Sequence, residues 1–334
     1  EFLWQEGHTA HATAEEAEEE TRKMLLVYQR FAEEFMAMPV FIGKKTEAEK
    51  FNGAVRTYCI EALMQDGKAL QAGTSHNLGQ NFSRPFEVRY QDGNQQWQYC
   101  WQTSWGVSTR LVGALIMAHS DDNGLIIPPK LAPTEAVIVP IWRKDDERKA
   151  VFAYLEEIKQ QLNNRIRYHV DDREGFKPGW KYAEWELRGV PVRVEVGPRD
   201  LAKRGAVVVR RDNRSKQPVS ITELAATIQQ TLDEMQRDLF QRALDFRRDH
   251  SRSVDDYAEF KGLIDENAGF VWAHWCGGSD CETRVSEETK ATIRLVPFDA
   301  SEGFETPGAP PPERGQCLLC GQESPRRVLW AKAY

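Results

Sequence analysis

Two glutamates, two histidines and a tryptophan crowd the first eleven residues of this chain, EFLWQEGHTAH, together with Thr9 and a single glycine, Gly7. A buried structural strand would carry β-branched apolar residues there, so this run presents polar, aromatic and ionisable groups for chemistry. Arg110 is a second candidate. It follows Ser108-Thr109 where a strand-like run gives way to a helical one, and a helix N-terminus adds its own attraction for anions. His76 lies in a segment read as a loop between Gly73 and Gly79, where glycines permit close backbone approach. Near the far end stand Cys276 and Cys281, then Cys317 and Cys320. In a large chain with no readable secretory signal, such pairs hold zinc more often than disulfides. Four thiolates fill a tetrahedral site with no open position, which is a structural role; His274 is a rival ligand. Cys59 and Cys100 stand alone in alternating runs and read as buried hydrophobes.

The elements that must position these groups change character along the chain. Thr13 and Glu16 form a capping box ahead of a helix predicted to reach about Met38, with Leu25, Leu26, Tyr28, Phe31, Ala32 and Phe35 as its apolar face. Segments 54–64, 68–73, 85–90 and 95–104 read as strands, with Asp66-Gly67 and Asp92-Gly93 as turns between them. Strands without interleaved helices imply an antiparallel sheet, followed by a helix from about Ser108 to His119. After Pro128-Pro129 and Pro133 the pattern alternates: strand 136–141, helix 146–161, strand 166–170, a helix around 178–184, then strands 191–196 and 206–210. That alternation implies a small α/β domain. Ser220 and Glu223 cap a long helix to about His250, and Pro307–Pro312 reads as a loop within the last segment. The fold class is therefore α+β, then α/β, then a small cysteine-bearing domain, divided at 1–133, 134–235 and 236–334.

The chain has 334 residues, 41% hydrophobic and 28% charged, and a net charge of −7. These are ordinary values for a globular protein with two or three cores. No apolar run is long enough to span a bilayer, so no membrane role is expected. Only residues 134–250 are net basic, and within them Lys203 to Lys216 holds six basic residues with Asp212 the sole acid. Such a stripe on an acidic protein suits a phosphate backbone; the alternative is a solvated strand and turn.

The opening run resembles the second half of motif 2 of prolyl-tRNA synthetases of the archaeal/eukaryotic type, which are class II enzymes. Gln71-Ala72-Gly73-Thr74-Ser75-His76-Asn77-Leu78-Gly79 and Gln102-Thr103-Ser104-Trp105-Gly106-Val107-Ser108-Thr109-Arg110 resemble two further segments of that family, in its order and spacing. About 90 residues separate His11 from Gln102, too few for the editing domain of bacterial-type prolyl enzymes. The resemblance implies the C-terminal part of an antiparallel-sheet catalytic domain, an α/β anticodon-binding domain and a zinc-binding C-terminal domain. It also implies that the N-terminal part of the catalytic domain precedes Glu1, so the segment alone is expected to be inactive.

By that resemblance, Arg110 is the catalytic ATP arginine, with Gln71, Thr74 and Ser108 also on ATP. Trp4, Glu6, His8, Phe51, His76, Ser104 and Gly106 are expected on proline. Aromatic walls suit the apolar faces of a pyrrolidine ring. Lys181, Glu186, Arg188, Glu195, Arg199 and Lys216 are the candidates for tRNA contact, and the four cysteines for zinc. The implied reaction activates L-proline with ATP and Mg2+ and transfers it to tRNA(Pro), in a cytoplasmic homodimer. Alternatives are a threonyl-type class II synthetase or a synthetase-like tRNA-binding regulatory protein. Tyr334 is expected to fold back toward the catalytic domain; otherwise it ends a strand packed on the zinc domain.

Overall fold

The computed structural model describes residues 3–334, so Glu1 and Phe2, the start of the motif 2-like run, lie outside the described residues. The chain forms two compact units: one of residues up to 34, 38–114 and 244–334, the other of residues 35–37 and 115–243.

In the first unit, β1 (Trp4–His11), β2 (Val40–Lys44), β3 (Arg56–Leu63), β4 (Ala69–Gly79) and β7 (Trp101–Ser108) make an antiparallel sheet of order β1-β7-β4-β3-β2. β5 (Arg89–Gln91) and β6 (Trp97–Tyr99) form a separate hairpin between β4 and β7. His76 therefore belongs to a continuous eleven-residue strand and not to a loop. The strand read at 95–104 is two, β6 and β7, and β2 was not anticipated.

Helix α1 (Ala14–Arg30) begins at the expected capping box. Thr13 Oγ1 accepts from the Glu16 amide, and the Glu16 carboxylate accepts from Ala12 and Thr13. Its buried stripe is Ala17, Thr21, Leu25 and Tyr28, while the expected Leu26 is 43% exposed. Polar bonds fix α1 to the back of the sheet: Ser75 Oγ donates to Thr21 O at 2.7 Å, Asn77 Nδ2 to Glu18 at 2.8 Å and Tyr28 to Gln5 at 2.7 Å. Gly7 is required on that side, because a Cβ there would lie 2.2 Å from the Trp105 indole. The opposite face of β1, β7 and β4 stays open.

Helix α2 (Arg110–His119) follows β7. The second unit holds β8 (Ala136–Pro140), α3 (Asp145–Leu162), β9 (Tyr168–Val170), α4 (Pro178–Leu187), β10 (Val192–Val196), α5 (Pro198–Ala202), β11 (Gly205–Arg210) and β12 (Lys216–Ser220). Its sheet is mixed, of order β12-β11-β10-β8-β9, with β10, β8 and β9 parallel. Val194, Val208, Ile138, Leu155 and Ile228 are among the residues filling its core. The long helix α6 (Leu224–Asp249) runs through residue 235, where the sequence divides.

The C-terminal segment returns to the first unit through β13 (Ser251–Ser253), α7 (Tyr257–Asp265), β14 (Phe270–His274), α8 (Ser279–Thr289) and β15 (Thr292–Leu295). The hairpin β16 (Gly315–Gln316) and β17 (Glu323–Ser324) and the strand β18 (Arg327–Ala331) complete it. The sheet β13-β14-β18-β15 shares one core with the first sheet, in which Phe41, Cys59 and Leu63 meet Phe270, Trp272, Leu295 and Leu329. That shared core explains two compact units where the sequence suggests three domains. Tyr334 also returns to the first sheet: its hydroxyl donates to Asp66 at 2.6 Å and its amide to Ala69 O at 3.2 Å.

Glu61 pins the two sheets together. Its fully buried carboxylate accepts from Lys45 Nζ at 2.9 Å and from Arg294 at 3.1 and 3.2 Å. Removing the carboxylate leaves two buried cations without a counter-charge, which typically costs about 3–5 kcal/mol. Glu61→Ala is expected to lower the urea unfolding midpoint accordingly; an unchanged midpoint would show that the triad does not hold the sheets.

Candidate active site and zinc centre

Strand register gathers the expected substrate residues. Glu6 lies opposite Gly106, itself opposite Thr74, and His8 lies opposite Ser104, itself opposite His76. Directly paired residues share a face. A β-bulge at Ile60/Glu61 adds one residue to β4, so Glu61 pairs with Gln71. That extra residue turns Gln71 onto the face of Thr74 and His76. Trp4, Glu6, Phe51, Gln71, Thr74, His76, Ser104, Gly106, Ser108 and Arg110 all line one open cavity of about 320 Å³. His8 does not line it. It shares the face but stays largely exposed at the sheet edge, with Nε2 3.7 Å from the Glu6 carboxylate.

One residue that the sequence reading missed organises the cavity. Thr57, opposite His76 on β3, pairs its hydroxyl with His76 Nδ1 at 2.9 Å and accepts the Phe51 amide at 3.1 Å. The Phe51 and His76 rings then sit 5.1 Å apart. Burial lowers the His76 pKa to about 4, so the ring is neutral at physiological pH. Arg110 opens α2; its amide is capped by Ser108 Oγ at 3.3 Å and its guanidinium donates to Gln71 O at 3.4 Å. The result is a part-aromatic wall, a carboxylate and one exposed guanidinium around a volume suited to a small zwitterion and part of a nucleotide.

In the second unit, Arg193, absent from the expected set, is the hub. It donates to Glu186 at 2.7 Å and Glu195 at 3.1 Å and stacks over Tyr182 at 4.0 Å, with Lys216 3.5 Å from Glu195. Arg188 is exposed and pairs with Glu184, and Arg199 is exposed on α5. Lys181 is a correction. It is 2% exposed, and its ammonium donates to Asp171 O at 2.8 Å, so it supports the fold and does not face RNA. The basic stripe is also largely committed: Arg210 to Asp212 and Asp238, Arg211 to Asp121, and Arg204 to Glu157.

The four C-terminal cysteines converge. Cys276 lies in the turn after β14, Cys281 in the first turn of α8, and Cys317 and Cys320 in the β16–β17 turn. Their sulfurs all lie within 4.8 Å of one another, with Cys276 and Cys320 at 3.8 Å. Zinc–sulfur bonds of about 2.3 Å give a tetrahedron with edges of about 3.8 Å, so the donor set fits. Burial would raise the Cys317 thiol, but backbone amides of Cys320, Leu319 and Cys276 outweigh it and bring it to about 7. His274 lies outside the cluster, its Nδ1 3.1 Å from Ser324 Oγ.

Comparison with known proteins bears on the whole chain. Residues 257–334 match the profile of the prolyl-tRNA synthetase C-terminal domain, and 135–231 that of the anticodon binding domain. A proline–tRNA ligase of Chloroflexus aurantiacus is 53% identical over 338 residues, covering 100% of this chain and 68% of that protein. The chain belongs to the proline–tRNA ligase family. A proline–tRNA ligase of Porphyromonas gingivalis is likewise 53% identical over 335 residues, with 66% of its length covered. One of Chlorobium phaeovibrioides is 53% identical over 338 residues, with 68% covered. The chain thus spans about two-thirds of the length of these relatives. Among its described residues, no helix is long and apolar enough to cross a membrane.

Because the folded state excludes a proton from His76 that the unfolded chain accepts below about pH 6.5, the sign of its pH effect is fixed. Its contribution is complete above that pH and is lost as pH falls toward 4, worth about 3 kcal/mol across the window. His119, also lowered to about 4 by burial, acts in the same window in the other unit. NMR of the His76 imidazole should show a midpoint near pH 4; one near 6.5 would mean that the cavity wall is open to water.

Proposed function

We propose that this chain supplies the substrate cavity and tRNA-recognition parts of a proline–tRNA ligase. The proline carboxylate attacks the α-phosphate of ATP, expelling pyrophosphate, and the prolyl group of the resulting adenylate then passes to the terminal ribose hydroxyl of tRNA(Pro) with release of AMP. The observation that carries this reading is that ten of the eleven expected proline and ATP residues line one cavity. Phe51, Trp4 and neutral His76 offer a wall to the pyrrolidine ring, and Glu6 a carboxylate for its secondary ammonium. Arg110, with Gln71, Thr74 and Ser108, lies where the triphosphate would meet a helix start and a guanidinium. The chemistry is positioning and charge stabilisation, with Mg2+ on the phosphates. None of the four clustered cysteines lines the cavity, so a zinc held by them would be structural.

In this reading residues 1–133 belong to the class II catalytic domain, 134–235 bind the anticodon, and 236–334 hold a structural zinc. Glu186, Arg188, Glu195, Arg199 and Lys216 form the tRNA-contacting set, and buried Arg193 positions Glu186 and Glu195 within it. The working protein is a cytoplasmic homodimer.

In a protein of the relatives' full length, Arg110→Ala is expected to reduce proline-dependent ATP–pyrophosphate exchange about 10²–10³-fold. The fold should be retained, since the side chain is exposed. Near-normal exchange by folded mutant protein would remove Arg110 from the reaction. The same assay run with every amino acid separates proline from threonine, and exchange with none of them leaves the regulatory reading.

Elemental analysis should find one zinc per chain, and Cys317→Ser should abolish it. Zinc-free native protein whose four thiols react freely with a thiol reagent would contradict the assignment.

A further inference from the structure

The start of helix α4 and the loop before it carry an exposed aromatic stack that neither the sheet nor the Arg193 network uses. Phe176 and Trp180 stack with ring centroids 4.2 Å apart and planes inclined by 23°, yet they remain 45% and 47% exposed. The Arg173 guanidinium lies over both rings, 5.3 Å from each centroid, and still leaves about half of each aromatic residue exposed. The support beneath is rigid. Buried Asp171 receives Arg173 at 2.7 and 2.9 Å and the Trp185 indole at 2.9 Å, and Glu184 receives Arg173 at 2.6 Å. Asp171 directly follows β9, at the carboxyl end of the parallel strands, where ligands settle on open α/β sheets.

Two large aromatic rings held half in water by an ionic frame anchored on buried Asp171 form an exposed apolar patch of the kind that marks a binding surface. The flanking charges are mixed: Asp172, Glu174 and Lys177 are exposed, and Glu174 is paired with Arg148 at 2.6 Å. What remains available at the site is the exposed π-surface of the two rings. Single-stranded bases bind proteins by stacking on aromatic side chains, and this domain matches an anticodon-binding profile. We propose that the Phe176–Trp180 stack is a platform for one unpaired base of the tRNA anticodon loop. The platform rests on the reading of residues 134–235 as the anticodon-binding domain, and it adds a contact outside the Glu186–Arg193 set.

The test measures binding of tRNA(Pro) transcript to the whole chain across a salt series. Trp180→Ala is expected to weaken binding about 5- to 100-fold at every salt concentration, without changing the salt slope, because no phosphate contact is lost. Trp180→Phe should restore most of the affinity, which a merely structural role would not require. Transcripts made abasic at one anticodon-loop position at a time should reveal one position where the Trp180→Ala loss disappears. Wild-type binding with an unaffected Trp180→Ala variant, or the same loss at every abasic position, overturns the platform alone. No tRNA binding by the wild-type chain overturns the anticodon reading together with it.

Discussion

A single buried carboxylate, that of Glu61, sets the terms for the first unit. A lone carboxylate cannot stay ionised at that depth, and Lys45 and Arg294 supply the compensating charges from two distant parts of the chain. Lys45 also donates to Arg294 O at 2.8 Å, so the pair is tied to backbone as well as to Glu61. The bulge in β4 falls opposite the same residue. On one side of that point the sheet face is sealed by the C-terminal segment; on the other it opens into the cavity. The residue that anchors the cover is thus also the one beside which Gln71 changes face.

The two units handle charge in contrasting ways. The cavity presents an exposed guanidinium, Arg110, a carboxylate, Glu6, and a histidine that burial keeps neutral. Attraction for an anion is therefore local to the start of α2, while aromatic and small polar side chains line the remainder of the cavity. In the second unit the cations are numerous but mostly paired, and Arg193 serves two acids at once. A surface of compensated pairs discriminates by geometry, because a partner must offer bonds that match fixed donors and acceptors.

Much of this arrangement was legible in the sequence. The capping box at Thr13 is a local signal and marks the helix start. Ten cavity residues came from motif resemblance, and the cysteine spacing foretold a cluster. The failures share a physical origin, since they concern pairing across long sequence distances. His76 read as a loop residue because glycines flank it, and only β3 and β7 on either side hold that segment extended. Without that pairing Thr57 could not be linked to His76. Leu26 read as core because helical spacing cannot say how wide the sheet beneath is. Lys181 and the Lys203–Lys216 stripe read as solvent-facing cations, yet Asp171 holds Lys181, Asp121 holds Arg211 and Glu157 holds Arg204 from other parts of the chain, which charge counting along the chain cannot see.

The shared core has a consequence for the order in which the protein comes into being. Arg294 follows Glu61 by 233 residues and Tyr334 follows Asp66 by 268, so the first sheet cannot acquire its cover while it is being made. At about 5–20 residues per second, Glu61 waits roughly 10–50 s for Arg294 to be synthesised. During that interval Phe41, Cys59 and Leu63 face solvent or a chaperone, while the second unit, built wholly from residues in between plus the short 35–37 turn, can close. The nascent chain must therefore keep a hydrophobic sheet face soluble until its last strands leave the ribosome. Termination before β14 would release a molecule with its cavity strands made but that face bare.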